Sequence, residues 1–226
     1  MNSSRKHGFT PAATRPVLVL VEGADAFYFV LSQFLSKQEF AGIHLYDFGS
    51  ISELKAELET LVKAPRFKEY IKAVGVMRDA EDHAESAIAS ICGAFQSVGI
   101  KASKIPGDVR PGDPACGFHL FPDNGNPGCL ENACLSAYGN SRDLDCAQNF
   151  LNCAKRVDRS PNWRAKALVH ALIAIGENPE LTLGDSAKKG MWTPESPALI
   201  LIGRFLQRLC DAAKFQHGME KESYGL

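Results

Sequence analysis

The 226-residue sequence has no CxxC pair among its seven cysteines, no apolar run near the ~20 residues of a membrane span, and a net charge of only −1. Each absence excludes something. Without a basic excess, no global field recruits nucleic acid, so polyanion binding has to come from a local patch or a metal ion. Cys129 and Cys134 stand too far apart for a zinc knuckle, and no second pair or His-x3-His follows. An odd number of scattered cysteines points to reduced thiols. The first fifteen residues, MNSSRKHGFTPAATR, are basic but lack an apolar segment, which argues against a signal peptide. There is no internal repeat and no low-complexity block. These features predict a soluble, cytoplasmic protein with no membrane partner. The length suits one large domain, or one domain with a helical appendage.

What is present starts at Pro16. PVLVLVEGAD places five apolar β-favouring residues, Val17 to Val21, directly before Glu22-Gly23 and a helix-periodic stretch. A short, wholly apolar run of this kind is the pattern of a strand buried on both faces, as in a parallel sheet. Open α/β sheets bind ligands at the carboxyl ends of their strands. Glu22 stands at such an end and is the first candidate for a functional group; its alternative is a solvated strand-end carboxylate.

Phe27, Val30, Leu31 and Phe34 predict an amphipathic helix from Asp25 to about Lys37. Residues 43–48 predict a second strand, 51–62 a second helix capped by Ser50 or Ser52, 71–77 a third strand and 84–98 a third helix. Residues 100–105 are a candidate fourth strand, and 116–121 another, as an edge hairpin partner. Repeated β-α alternation argues for a parallel sheet. The domain reading is a flexible arm over 1–15, an α/β domain over 16–140 with about four parallel strands flanked by helices, and an α-helical extension over 141–226 packed on it. The Gly/Pro/Ser-rich stretch 176–198 is expected to be a long loop, serving as a lid or binding loop.

Acids follow two strands: Glu22 and Asp25 after the first, Asp79, Glu81 and Asp82 after the third. Adjacent parallel strands lie ~4.8 Å apart, which brings such carboxylates within reach of one cation. Mg²⁺ takes oxygen ligands of this kind, and it relieves the repulsion between them. The competing reading pairs Arg78 with Asp79, Glu81 or Asp82 on the surface. Asp25 also suits a helix first turn, as does Glu131, and Asp123 suits an Asx turn. His119, on an apolar strand, reads as a satisfied core or edge histidine. Cys129 and Cys134 read as small apolar fillers.

The segments VLVEGADAFYFV, VGVMRDAED and GFHLFPDNGNPGCLEN together resemble the Toprim superfamily, the metal-binding α/β core of topoisomerases, bacterial primases, small RNA-maturing nucleases and overcoming-lysogenization-defect nucleases. The chain looks most like a bacterial Toprim-related family of unknown function, over about residues 16–135. The resemblance implies Glu22 as metal ligand or general base. It implies Asp79 and Glu81 as the acidic pair after the third strand, and Glu131 as a later ligand. Nuclease-type members often carry another acid four residues after the first glutamate. Ala26 stands there in this sequence, with Asp25 one residue early. The resemblance implies Mg²⁺ or Mn²⁺ as cofactor, and phosphodiester hydrolysis of DNA or RNA as activity. Lys166 and Lys188 would then hold phosphate. The other expectation is a regulatory module that binds metal, nucleotide or nucleic acid, with a partner protein in a defence or toxin-type pair.

Overall fold

The computed structural model describes residues 15–154 and 159–223, with side chains through Lys214. The expected arm, apart from Arg15, lies outside the described residues. The sheet has five strands: β1 (Val17–Val21), β2 (Ile43–Asp47), β3 (Ala73–Asp79), β4 (Val109–Arg110) and β5 (Ala115–Phe121). Their order is β2-β1-β3-β5-β4, parallel throughout except for the short β4, which runs antiparallel to β5. The chain is thus a mixed α/β protein with a mostly parallel sheet flanked by helices. From β1 it steps outward to β2, then returns past β1 to β3 and continues the other way. The crevice at the carboxyl ends of β1 and β3 is therefore a topological switch point, the usual ligand position in such sheets.

Alternating residues of the buried strands feed two cores. Val17, Val19 and Val21 face α1 (Gly23–Gln33) and the C-terminal helices. Leu18 and Leu20 face α2 (Leu54–Lys63), α3 (Pro65–Tyr70) and α4 (Ala84–Ser97). Beyond β5 come α5 (Leu130–Ser136), α6 (Ser141–Cys153), α7 (Pro161–Ile175), α8 (Leu183–Lys188) and α9 (Pro197–Ser223). Helix α9 lies against β1, β3 and β5 and buries Leu199, Ile202, Phe205, Leu206 and Leu209 in the same core as Val17, Val19 and Val21. Each such side chain is worth about 1.5–3 kcal/mol when fully buried. Covering this face of the sheet is thus a large part of what α9 does for the fold.

Four expectations need correction. Residues 100–105 form no strand, and Ile105 is exposed. The strand at 116–121 is β5 (Ala115–Phe121); it pairs antiparallel with β4, as a hairpin partner does, but it lies inside the sheet, parallel to β3, and not at the edge. Gly117 lets β4 cross beside it: a Cβ there would stand 2.1 Å from the Asp108 carbonyl oxygen. Strand β3 runs through Arg78 to Asp79, because pairing of Arg78 and Asp79 with Leu120 and Phe121 continues past the last apolar residue. The stretch 176–198 is not one continuous loop. It contains α8, which Thr182 caps by accepting from Asp185 N, and Trp192 is fully buried with its indole N–H on Ser186 Oγ (3.0 Å). A six-residue helix is too short to show a hydrophobic period.

His119, in the middle of β5, has no exposed surface. It lies between the rings of Phe121 and Phe205, at centroid distances of 5.4 and 5.9 Å, and neither ring nitrogen has a hydrogen-bond partner among the described residues. It is a core histidine, but an unsatisfied one. Burial pushes its pKa down to about 3, against a weak opposing pull from Asp123. The folded chain therefore keeps the neutral ring while the unfolded chain takes up a proton below pH ~6.5. The corresponding stability is intact above that pH and is lost as pH falls from ~6.5 towards 3. Urea unfolding of wild type and His119→Leu between pH 7.5 and 5 should show a flatter acid limb for the variant.

Candidate metal centre

Glu22 follows β1 and is the residue from which α1 starts, yet its carboxylate does not cap the helix. Its backbone N–H donates to the Met77 carbonyl (3.1 Å), and Gly23 takes φ +80, which lets the chain turn sharply into α1. Asp47, buried at the end of β2, tethers this turn: its Oδ1 accepts from the N–H of Gly23 (3.0 Å) and of Gly49 (2.8 Å). Glu22 Oε1 accepts from Ile51 N–H (3.1 Å). Glu22 Oε2 stands 3.2 Å from Arg78 Nε, an ion pair whose angle does not make a hydrogen bond. Burial raises the Glu22 pKa; Arg78 opposes the rise and Glu81 adds to it.

Arg78 is buried and faces Glu22, not the surface acids expected for it. The register explains this. Val21 pairs with Met77, so the next residues, Glu22 and Arg78, stand opposite each other. Side chains alternate along a strand, so Asp79 points to the other side of the sheet. There its Oδ1 accepts from the N–H of Leu130, the first residue of α5 (2.9 Å).

Glu131, one residue further along α5, is buried. Its Oε1 accepts from Lys166 Nζ of α7 (3.0 Å), and its Oε2 is buried with no hydrogen-bond partner among the described residues. Ligand atoms of Asp79, Cys129 and Glu131 all lie within 4.8 Å of one another. Burial, then the Glu131 charge, pushes Asp79 up to about 7, against the Leu130 N–H and Lys166. Burial works against the Lys166 charge, but Glu131 and Asp79 outweigh it and raise its pKa.

Glu81 connects the two halves: its charge raises the pKa of both Glu22 and Asp79. It takes φ +55, a conformation that costs a non-glycine residue about 1–3 kcal/mol. Two backbone bonds to Gly128 (2.9 and 2.8 Å) hold it there, and its Oε2 accepts from Asn162 Nδ2 (2.7 Å).

The fold thus brings Asp79, Glu131 and Lys166 together on one side of the sheet and Glu22 with Arg78 on the other, with the Glu81 charge acting on both. It does not join Asp25 or Lys188 to them. Asp25 is exposed in the first turn of α1, and Lys188 is exposed at the end of α8. Neither makes an ion pair or hydrogen bond with the cluster among the described residues. Asp123 closes an Asx turn, accepting from the N–H groups of Gly125 and Asn126. Asp47, Asn162 and the Cys129 thiol were not foreseen as parts of the site. Only Asp47 left a trace in the sequence, as an acid at the end of the second strand.

The donor set suits a divalent cation. It is rich in carboxylate oxygen, and it holds a buried, unpartnered oxygen at Glu131 Oε2. Fully ionised, the four carboxylates Glu22, Asp79, Glu81 and Glu131 exceed the two cations Arg78 and Lys166 by two charges, the charge of one divalent ion. A cavity of about 330 Å³ opens on the Arg78 side, lined by Ile51, Arg78, Glu81, His83 and Ser86 among others. A larger one, about 490 Å³, is lined by Glu59, Phe67, Ile100, Asp113 and Pro114 among others and includes none of Glu22, Asp79, Glu81 and Glu131.

Residues 16–211 match the model of a family described as "Protein of unknown function (DUF3226)". No curated protein and no solved structure matches the chain.

Removing the Lys166 ammonium leaves Glu131 buried without its counter-charge. Lys166→Met should lower the unfolding free energy by about 1–3 kcal/mol, the lower part of the range reflecting that Lys166 is half exposed. The double variant Lys166→Met/Glu131→Gln should recover most of that loss in denaturant titrations.

Proposed function

The chain belongs to the DUF3226 family, and from its site we propose that it is a divalent-metal-dependent phosphodiesterase, a small Toprim-like nuclease acting on DNA or RNA. The observation that carries this reading is the placing of Glu22 and Asp79 at the carboxyl ends of the adjacent strands β1 and β3, with Glu131 buried beside Asp79. Like charges are crowded there by burial with too few cations to offset them, an arrangement that costs free energy unless a cation shares it.

Asp79, Glu131 and Glu81 would hold Mg²⁺ or Mn²⁺. A bound divalent ion supplies Lewis-acid stabilisation of the charge that builds on a phosphoryl group. Glu22, its pKa raised by burial, is suited to receive a proton from attacking water at Oε2, the oxygen that has no hydrogen-bond donor. Arg78, against Glu22, holds that carboxylate in place and puts positive charge beside the 330 Å³ cavity, where a phosphate can enter. Lys166, half exposed, can turn its ammonium from Glu131 to a phosphate oxygen.

One observation favours a second reading, a regulatory module that binds metal or nucleotide without cleaving and works with a partner protein. Arg78 and Lys166 already neutralise two of the four carboxylates from within the chain, and Ala26 provides no further acid.

The test is cleavage of single- and double-stranded DNA and RNA with Mg²⁺ or Mn²⁺, by wild type, Glu22→Gln and Asp79→Asn. Asp79→Asn keeps an oxygen for the Leu130 N–H and removes a crowded charge, so its melting temperature should not fall. Cleavage should drop by about 10²-fold or more in each variant. Full cleavage by well-folded Asp79→Asn would sink the nuclease reading. Mn²⁺ binding by wild type without cleavage of any substrate would support the regulatory one.

A further inference from the structure

The buried half of the site contains a donor that Mg²⁺ chemistry does not use. Cys129 is fully buried, and its Sγ belongs to the trio with Asp79 and Glu131, all within 4.8 Å of one another. The thiol donates to Asn132 Oδ1 (3.2 Å), which also accepts from the Cys129 backbone N–H (3.0 Å), so the side chain is held in one orientation at the start of α5. A second, independent feature points to a ligand: Glu131 is 4% exposed and its Oε2 has no partner. A buried carboxylate oxygen without a donor is costly, and a cation between it, Asp79 and the sulfur would remove that cost.

Lys166 occupies the other oxygen of Glu131, and the Leu130 N–H occupies Asp79 Oδ1. Two ligands of one ion stand no further apart than the sum of their bonds, about 4.3 Å for ~2.3 Å Zn–S and ~2.0 Å Zn–O. Small side-chain rotations from a 4.8 Å grouping reach that spacing. Hard Mg²⁺ selects oxygen and gains nothing from sulfur, whereas thiolate favours zinc and its neighbours in the first transition row.

We propose that Cys129 is a metal ligand, and that Asp79, Cys129 and Glu131 form an O,S,O site for a thiophilic divalent cation of the Zn²⁺ or Co²⁺ class in preference to Mg²⁺. The proposal rests on the metal-dependent reading above and names the cation class of that same site. On binding, the thiol loses its proton to solvent, the metal–sulfur bond forms, and the bond to Asn132 Oδ1 is given up. The fourth position is left for water or a phosphate oxygen, as in open zinc sites.

Co²⁺ is the probe, because cobalt–thiolate bonds absorb in the near ultraviolet and cobalt–carboxylate bonds do not. The full chain, stripped with chelator and kept reduced, is titrated with CoCl2 beside Cys129→Ser, Glu131→Gln and Cys146→Ser/Cys153→Ser. The last variant removes the two exposed thiols. We expect a near-ultraviolet band that saturates at one Co²⁺ per chain. Cys129→Ser should abolish it and weaken Co²⁺ binding by about tenfold or more. Glu131→Gln should weaken binding, and the exposed-thiol variant should behave as wild type. Mg²⁺ in large excess should not displace the cobalt. Thermal melts of the metal-free proteins check that the variants fold. Saturable Co²⁺ or Mn²⁺ binding without the band, or with a band that survives Cys129→Ser, overturns the thiolate ligand and leaves the carboxylate metal site standing. Absence of binding by Co²⁺, Mn²⁺ and Zn²⁺ overturns both.

Discussion

The parallel register of β1 against β3 is the constraint on which the rest of the site depends. Pairing Val21 with Met77 puts Glu22 opposite Arg78 and makes Asp79 the next residue out, on the other side of the sheet. A slip of one residue would exchange the faces. Both strands are buried on both faces, so the two apolar cores hold the register from either side. The site is therefore split by the sheet itself. Glu22 and Arg78 belong to the side of α2 and α4; Asp79, Glu131 and Lys166 belong to the side of α5 and α7. Glu81, held at a left-handed backbone position by Gly128, acts electrostatically on both.

The helices after β5 complete the site as well as cover the sheet. Helix α5 brings the Leu130 N–H to Asp79 and carries Glu131 and Cys129; α7 brings Lys166 to Glu131 and Asn162 to Glu81. Three of these contacts span 35 to 81 residues of chain. An α/β unit cut near residue 140 would keep the strands and α5. It would lose the counter-charge of Glu131, the amide on Glu81 and the α9 cover over β1 and β3. The expected boundary between domain and extension thus falls inside a continuous core.

Much of the architecture was legible because it follows from local pattern. The five-residue run at Val17, the Glu22-Gly23 turn and the helical periods at Val30 and Ile91 each reflect a chemistry readable within a dozen residues. Where reading failed, the deciding partner was distant. Arg78 looked like a surface cation among surface acids, but strand pairing continues past it. Cys116 to Phe121 looked like an edge, but Gly117 lets β4 cross there and the strand is interior. Trp192 sat in a loop-like composition, yet α8 and its Ser186 give its indole a buried partner.

Residue order alone determined the alternation of strands and helices, the acids at the ends of the first and third strands, and the absence of any helix long and apolar enough to cross a membrane. These are properties of spacing and composition, and no fold is needed to state them. Tertiary structure decided which acids meet. It placed Glu131 and Cys129 beside Asp79, put Lys166 and not Lys188 among them, and left Asp25 in solvent. The physical reason is that carboxylates interact through distance and burial. Both quantities are set by strand order and helix packing across tens of residues, which no local pattern encodes.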